Sequence, residues 1–492
     1  MQFGLSETVA HWGRYRREQR AILTNGNIIS YGDLNRAVDA ALQILAREPS
    51  NRIAVASGSK YNLIVAILAS LRAGKSVVIL NPYLSDEALR TNMADTQVEV
   101  LFHDGFSNRL VALVEERGGH ALDLTTKSYE KISVDLAVRG SPDEWGVLFS
   151  SGTTGTPKGI ERDHDSMVTE FLGWIIELGL RRDTTFYIGR PIFYTGGLVF
   201  AAATLLVGGT IVINDFVNEN DPLEAWNDLS NFLHNDRIDW VFLIPDQIQT
   251  ILKNIREPKL PRWPVNVLVM GGPITGNEKI ALSKLLNCNV IESWGNTESL
   301  GTITEAKDLN KRPNSIGRPF VGDELVIVDD HLRELRPQEH GRIAGGIEAG
   351  FARYSNRPDT TLNVRREGLI ISEDYGYQDE DGYFYILGRL SDCVVRNGTS
   401  IFLSGIEAHI RSMESIVDCC VTSVGDENDV QIVAIISTHT EKDESAICDE
   451  INKCLSVDNR IDRVILMELP RLPSGKLDRV NCKKIAEKSR DR

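Results

Sequence analysis

The segment LFSSGTTGTPKGI, Leu148 to Ile160, packs five hydroxyl residues, three glycines and one lysine into thirteen positions. Gly152, Gly155 and Gly159 let the backbone turn tightly and present N–H groups to an anion. Ser150, Ser151, Thr153, Thr154 and Thr156 add hydroxyl donors, and Lys158 adds a positive charge. Together they form a cradle for a polyphosphate. It is not of the Walker type, because no GK[ST] follows a four-residue spacer. The residues EWGV precede Leu148-Phe149, so an apolar strand feeds the loop.

That strand belongs to a repeating pattern. RIAVASG (Arg52 to Gly58) reads as a strand and YNLIVAILASLRAG (Tyr61 to Gly74) as a helix closed by a glycine. KSVVILNP (Lys75 to Pro82) returns as a strand, SDEALRTNMADT (Ser85 to Thr96) as a helix capped by its serine, and VEVLFHD (Val98 to Asp104) as a strand. WVFLIP (Trp240 to Pro245), a helix, and VNVLVMGG (Val265 to Gly272) repeat the order. Strand, helix, strand in succession predicts an α/β fold of parallel layers. The last hundred residues differ: helices at GIEAHIRSM and ESAICDEINKCL alternate with strands at IVDCCVTSVG, DVQIVAIIST and DRVILMEL. They predict a small α+β domain, with a boundary near Leu387 to Val395.

A length of 492 residues allows two or three structural units. The formal net charge of -15 excludes a general nucleic-acid binder, which needs a basic footprint. The N-terminus lacks an apolar core of signal-peptide length. The most apolar window, Leu198 to Ile213, is shorter than the roughly 20 residues of a membrane span, and Gly208-Gly209 interrupts it. It predicts a buried helix, a turn and a buried strand. Seven cysteines without a CxxC pair and nine scattered histidines argue against a disulfide framework or zinc site. A cytoplasmic enzyme with reduced thiols is the expectation.

SSGTTGTPKG resembles the phosphate-loop signature of the adenylate-forming superfamily, which contains acyl-CoA synthetases, adenylation domains of nonribosomal peptide synthetases, and luciferases. Further signatures follow in order. PIFYTGGL (Pro191 to Leu198) looks like the acyl-pocket segment, VLVMGGPIT (Val267 to Thr275) like the adenine platform, and SWGNTE (Ser293 to Glu298) like the YGxTE signature. SIGRPFVGDEL (Ser315 to Leu325), SEDYGYQDEDGYFYILGR (Ser372 to Arg389) and LPRLPSGKLDR (Leu469 to Arg479) complete the set, which spans ISYGDLN (Ile29 to Asn35) to Arg479. The resemblance implies a large AMP-binding domain of layered α/β subdomains, residues 1–389, and a small mobile α+β lid, residues 390–492.

It also implies roles. ATP would convert a carboxylate to an acyl adenylate with release of pyrophosphate. Ser150, Ser151, Gly152, Thr153, Thr154, Gly155 and Lys158 would hold its phosphates, Thr297 would touch the α-phosphate, and Glu298 would hold Mg²⁺. Gly271, Gly272 and Pro273 would wall the adenine slot, with Ser293, Trp294, Gly295 and Asn296 beside it. Trp294 stands where the family usually has tyrosine, and an indole can still stack on adenine. Asp374 and Arg389 would bind the ribose, although the family's TGD is Ser372-Glu373-Asp374 here. Lys476 would bridge carboxylate and α-phosphate in the first half-reaction. Ser391 falls at the hinge, where many relatives carry Asp or Lys.

The acid pocket would include Phe193, Tyr194, Thr195, Gly196, Gly197 and Gly301. Amino-acid-activating relatives carry aspartate at the place of Tyr194, so the resemblance implies a small-molecule carboxylic acid without an α-amino group. Gly398 lies on the loop that lines the acceptor channel of thioester-forming relatives; Thr399 replaces their usual aromatic or histidine. The acceptor is then CoA or a carrier protein's phosphopantetheine, or alternatively an amine such as an amino acid. Only about 16 residues follow Lys476, so the acceptor is expected from solution or a separate protein. A non-catalytic sensor would have lost Lys476, Glu298 or Asp374; all are present. Neither a nucleic-acid partner nor a membrane span is expected.

Overall fold

In the computed structural model, packing divides the chain into two compact units. The first comprises Met1–Leu325 and Gly345–Ile370, the second Val326–Ala344 and Ile371–Arg492. The structure describes residues 4–24, 26–125, 144–150, 157–214, 222–255, 260–298, 300–346, 353–396, 399–413, 415–425, 430–438, 443–471 and 477–489.

Among its described residues the first unit holds a seven-stranded and a nine-stranded sheet. In the seven-stranded sheet, Arg52–Ala56 lies between Ser76–Ile79 and Val100–His103, and Ser76–Ile79 pairs with Glu144–Phe149, all in parallel. The crossover helices Lys60–Arg72 and Asp86–Thr96 start where a serine ends their orphan donors: Ser59 Oγ accepts from Asn62 N–H at 3.2 Å and Ser85 Oγ from Ala88 N–H at 3.3 Å. Each such cap is worth about 1 kcal/mol. In the nine-stranded sheet, Thr185–Ile188, Trp240–Leu243, Asn266–Val269 and Asn289–Gly295 are successive parallel neighbours. The uncharged window resolves as expected into a buried helix, Thr195–Leu206, a turn in which Gly208 takes φ +83°, and the buried strand Thr210–Val212. No helix among the described residues is long and apolar enough to cross a membrane.

The second unit is α+β. Ile416–Val424 and Gln431–Thr438 pair antiparallel, and Arg463–Leu466 adds in parallel. Ile406 and Ile410 from helix Leu403–Arg411 and Ile447 and Ile451 from helix Glu444–Asn452 share a core with Ile432, Ala434 and Ile436.

Candidate active site

The phosphate-loop signature lies between two strands that pair with each other. Strands Glu144–Phe149 and Gly159–Asp163 pair antiparallel, with Phe149 opposite Gly159. Ser150 N–H donates to the Lys158 carbonyl at 3.1 Å, and Lys158 N–H donates to Ser150 Oγ at 3.2 Å, so both ends of the loop are pinned. Ser151, Gly152, Thr153, Thr154 and Gly155 lie outside the described residues. Strand Arg353–Tyr354 pairs with the other edge of Gly159–Asp163. That places the Lys158 ammonium 5.5 Å from the centre of the Tyr354 ring, an attractive position for a cation. The Tyr354 hydroxyl in turn donates to Glu298 Oε1. Lys158, Tyr354 and Glu298 thus form a column of cation, ring and carboxylate.

The other candidates gather where parallel strands end, the edge at which α/β sheets bind ligands. Beyond Asn266–Val269, Gly271 takes φ +98°, a conformation that favours glycine, and Gly271, Gly272 and Pro273 are exposed. Beyond Asn289–Gly295 the chain turns sharply: Leu300 N–H donates to Asn296 Oδ1 at 2.9 Å, and Asn296 N–H to the Leu300 carbonyl at 3.1 Å. The return strand Gly301–Ile303 puts Gly301 opposite Gly295 and Thr302 opposite Trp294, while Ser293 Oγ donates to the Thr302 carbonyl at 2.8 Å. Thr297, on this turn, is joined to the helix start by a 3.3 Å hydrogen bond from Thr195 Oγ1. Its carbonyl accepts from Arg162 Nη1 at 3.4 Å. Beyond Thr185–Ile188, the Arg190 guanidinium lies 4.9 Å from the Tyr194 ring centre, and Phe193 packs on Tyr194 at 4.8 Å. A Cβ on Gly196 would stand 3.0 Å from Phe242, so the helix start approaches that ring closely. One on Gly197 would stand 2.2 Å from the Pro191 carbonyl oxygen.

In the second unit, Asp374 and Arg389 are cross-strand partners, 3.3 Å apart between Oδ1 and Nε. Ser391 is exposed in the short turn Leu390–Asp392. Gly398 and Lys476 lie outside the described residues.

Several contributors carry no local sequence signal. Arg162 is buried and pairs with Glu170 at 2.9 Å. Burial pushes the Asp323 carboxyl up to about 7, Glu170 and Glu177 add to the effect, and the Gly301 N–H and Arg162 oppose it. An acid raised in this way binds its proton more tightly when folded, so its cost to stability grows as pH rises from the ordinary carboxylate range through about 7. Asp323→Asn keeps an acceptor for Gly301 and removes the charge. Its melting midpoint should exceed the parent's by roughly 1–2 °C more at pH 8 than at pH 5. Scanning fluorimetry at the two pH values checks this; an equal offset at both would refute it.

A family model for AMP-binding enzymes matches residues 9–347. The chain belongs to the AMP-binding enzyme family. Curated relatives of this AMP-binding enzyme include a 2-succinylbenzoate–CoA ligase from Oceanobacillus iheyensis, 25% identical over 492 residues that cover 98% of this chain and 100% of the relative. Among solved structures, the o-succinylbenzoate CoA synthetase of Bacillus subtilis in complex with its acyl-adenylate intermediate superposes with a TM-score of 0.84 at 21% identity, covering 98% of each chain. An amide bond synthetase, McbA of Marinactinospora thermotolerans, reaches 0.83 at 20% identity, covering 98% of this chain and 100% of that one. These likenesses establish a layered adenylate-forming fold.

Proposed function

We propose that this AMP-binding enzyme activates a carboxylic acid lacking an α-amino group as its acyl adenylate, then transfers the acyl group to a thiol, that of CoA or of a carrier protein's phosphopantetheine. The column Lys158–Tyr354–Glu298, tied through the adjoining turn to Thr297, carries the reading. Among the described residues no group of three or more His, Cys, Asp or Glu could hold a metal ion. A lone carboxylate such as Glu298 suits magnesium, which takes one or two protein carboxylates and completes its octahedron with water and substrate phosphates. When bound, that ion neutralises phosphate charge. Lys158 and the hairpin loop hold the β- and γ-phosphates. Gly271, Gly272, Pro273 and Trp294 receive adenine, and Asp374 with Arg389 receives the ribose hydroxyls. A carboxylate oxygen attacks the α-phosphorus as the bond to pyrophosphate breaks. The thiol then adds at the acyl carbon, gives up its proton, and AMP leaves. Thr297 and Lys476 offset charge on the α-phosphate, so positioning and electrostatics supply most of the rate.

An α-ammonium is unsuited to this pocket, because the cation over Tyr194 would repel it. Residues 390–492 are proposed to turn about Ser391 between half-reactions, bringing the Gly398 channel to the acceptor. An amine acceptor is the second reading, favoured by the departures at Ser391 and Thr399 and compatible with a fold shared with an amide bond synthetase. Mass spectrometry of products formed from ATP, Mg²⁺ and a panel of acids, with CoA and amino acids both present, decides. Acyl-CoA supports the thiol reading, and an acyl amide without CoA consumption supports the amine. Absence of any acid-dependent pyrophosphate release would sink both.

A further inference from the structure

Arg190 is a charged residue that the fold buries. It is only 8% exposed, and it leads into the acyl-pocket segment Pro191 to Leu198. Among the described residues no hydrogen bond or ion pair engages its guanidinium; its partner is the face of Tyr194. Other buried arginines of this unit are treated differently. Arg72 pairs with Asp39 at 2.6 Å and donates to Asn35, and Arg162 pairs with Glu170 at 2.9 Å. Withdrawing a guanidinium from water costs several kcal/mol unless an anion and its hydrogen bonds compensate. A desolvated ring face returns about 2 kcal/mol of that, which leaves the guanidinium without the anion and hydrogen bonds that would complete the compensation. The position is also fixed: the Gly189 carbonyl accepts from Gln247 Nε2 at 3.3 Å, and Tyr194 Oη accepts from Asn81 at 3.4 Å. Among the described residues no acceptor meets its five N–H donors, which are held beside the acyl-pocket segment as a fork whose geometry matches a carboxylate.

We propose that Arg190 receives a second oxyanion on the acid, so that the preferred substrates are dicarboxylic acids activated at one end and anchored at the other. This rests on the carboxylate-ligase reading above. A charge-assisted pair held away from water is worth enough to discriminate about 10²-fold against an analogue lacking the anion. The probes are glutarate, adipate, phthalate and homophthalate, each beside its monomethyl ester, with kcat/KM read from acid-dependent pyrophosphate release. The parent should favour the diacid of its best pair by about 10²-fold, and Arg190→Leu should bring that ratio close to one. Arg190→Lys, which keeps the charge and loses the fork, should recover part of it, and a melting profile like the parent's shows that both variants fold. Preference for the esters would overturn the proposal, as would an equal loss on diacid and ester in Arg190→Leu. A defect confined to the KM for CoA would also overturn it, because the guanidinium would then serve the acceptor. Pyrophosphate release with none of the probes or a wider acid panel would remove the ligase reading itself, and this inference with it.

Discussion

Lys476→Ala should lower acid-dependent pyrophosphate release by about 10²–10³-fold while leaving ATP affinity close to the parent's. The reasoning starts from charge. The pentavalent α-phosphate gains negative charge only as the carboxylate attacks, so a donor aimed there stabilises the transition state more than the bound nucleotide. In the proposed reaction the phosphates of ATP would keep other partners in Lys158 and the loop that Ser150 and Lys158 close. The chain on either side of the lysine is well anchored. Arg471 pairs with Asp418, Arg471 and Leu477 bridge antiparallel, and Arg479 grips the buried Glu407 through two hydrogen bonds of 2.7 and 3.0 Å. Calorimetric titration with ATP and single-turnover pyrophosphate assays separate binding from chemistry. Supplying preformed acyl adenylate with CoA should restore thioester formation, because the proposed role of this lysine is confined to the first half-reaction. Parental pyrophosphate release by the variant would remove Lys476 from the mechanism.

How much of this was legible follows from the range of each interaction. The hairpin loop could be read because its chemistry is local: Ser150 and Lys158 are eight residues apart and close on each other. The helix start at Ser85 and the buried helix Thr195–Leu206 were equally local, whereas the cap at Ser59 was not read and that helix was expected to begin at Tyr61. Tyr354 was not visible, since its partner Glu298 lies 56 positions earlier and nothing in the intervening sequence marks the pair. Arg162 reads as a surface residue in GIERD, yet its strand is an inner one of the sheet and Glu170 reaches it from the following helix. Arg190 looks like any loop arginine until its burial is known. The compact division of the chain had no marker either: Val326–Ala344 joins the second unit through pairing rather than composition. The boundary expected at residues 389 and 390 was read from the change of pattern there and from the family resemblance, and it stands as a proposal.

The largest expected effect on stability lies beneath the Trp294 strand. Lys279 reaches from helix Gly276–Leu286 to Glu292 at 2.5 Å, with side chains 3% and 9% exposed. Lys279 Nζ also donates to the Ser315 carbonyl at 3.4 Å, tying the loop that precedes Asp323. Burial pushes the Glu292 carboxyl up, and Lys279 opposes that only in part. Lys279→Met leaves a carboxylate in the interior with no cation, which should cost about 3–5 kcal/mol of unfolding free energy. Protonation offers the orphaned acid its escape. Its folded-state affinity for a proton then exceeds the unfolded one further, so the penalty should be smallest near pH 5 and grow toward pH 8. Lys279→Met combined with Glu292→Leu removes both charges and should recover most of the loss, since apolar pairs of similar volume often match a buried ion pair. Urea unfolding of the three proteins at both pH values tests the argument. If the single and double variants are equally unstable, the charge left on Glu292 is not the source of the loss, and the strand that carries Trp294 toward the Glu298 turn depends on its sheet pairing and packing rather than on this ion pair.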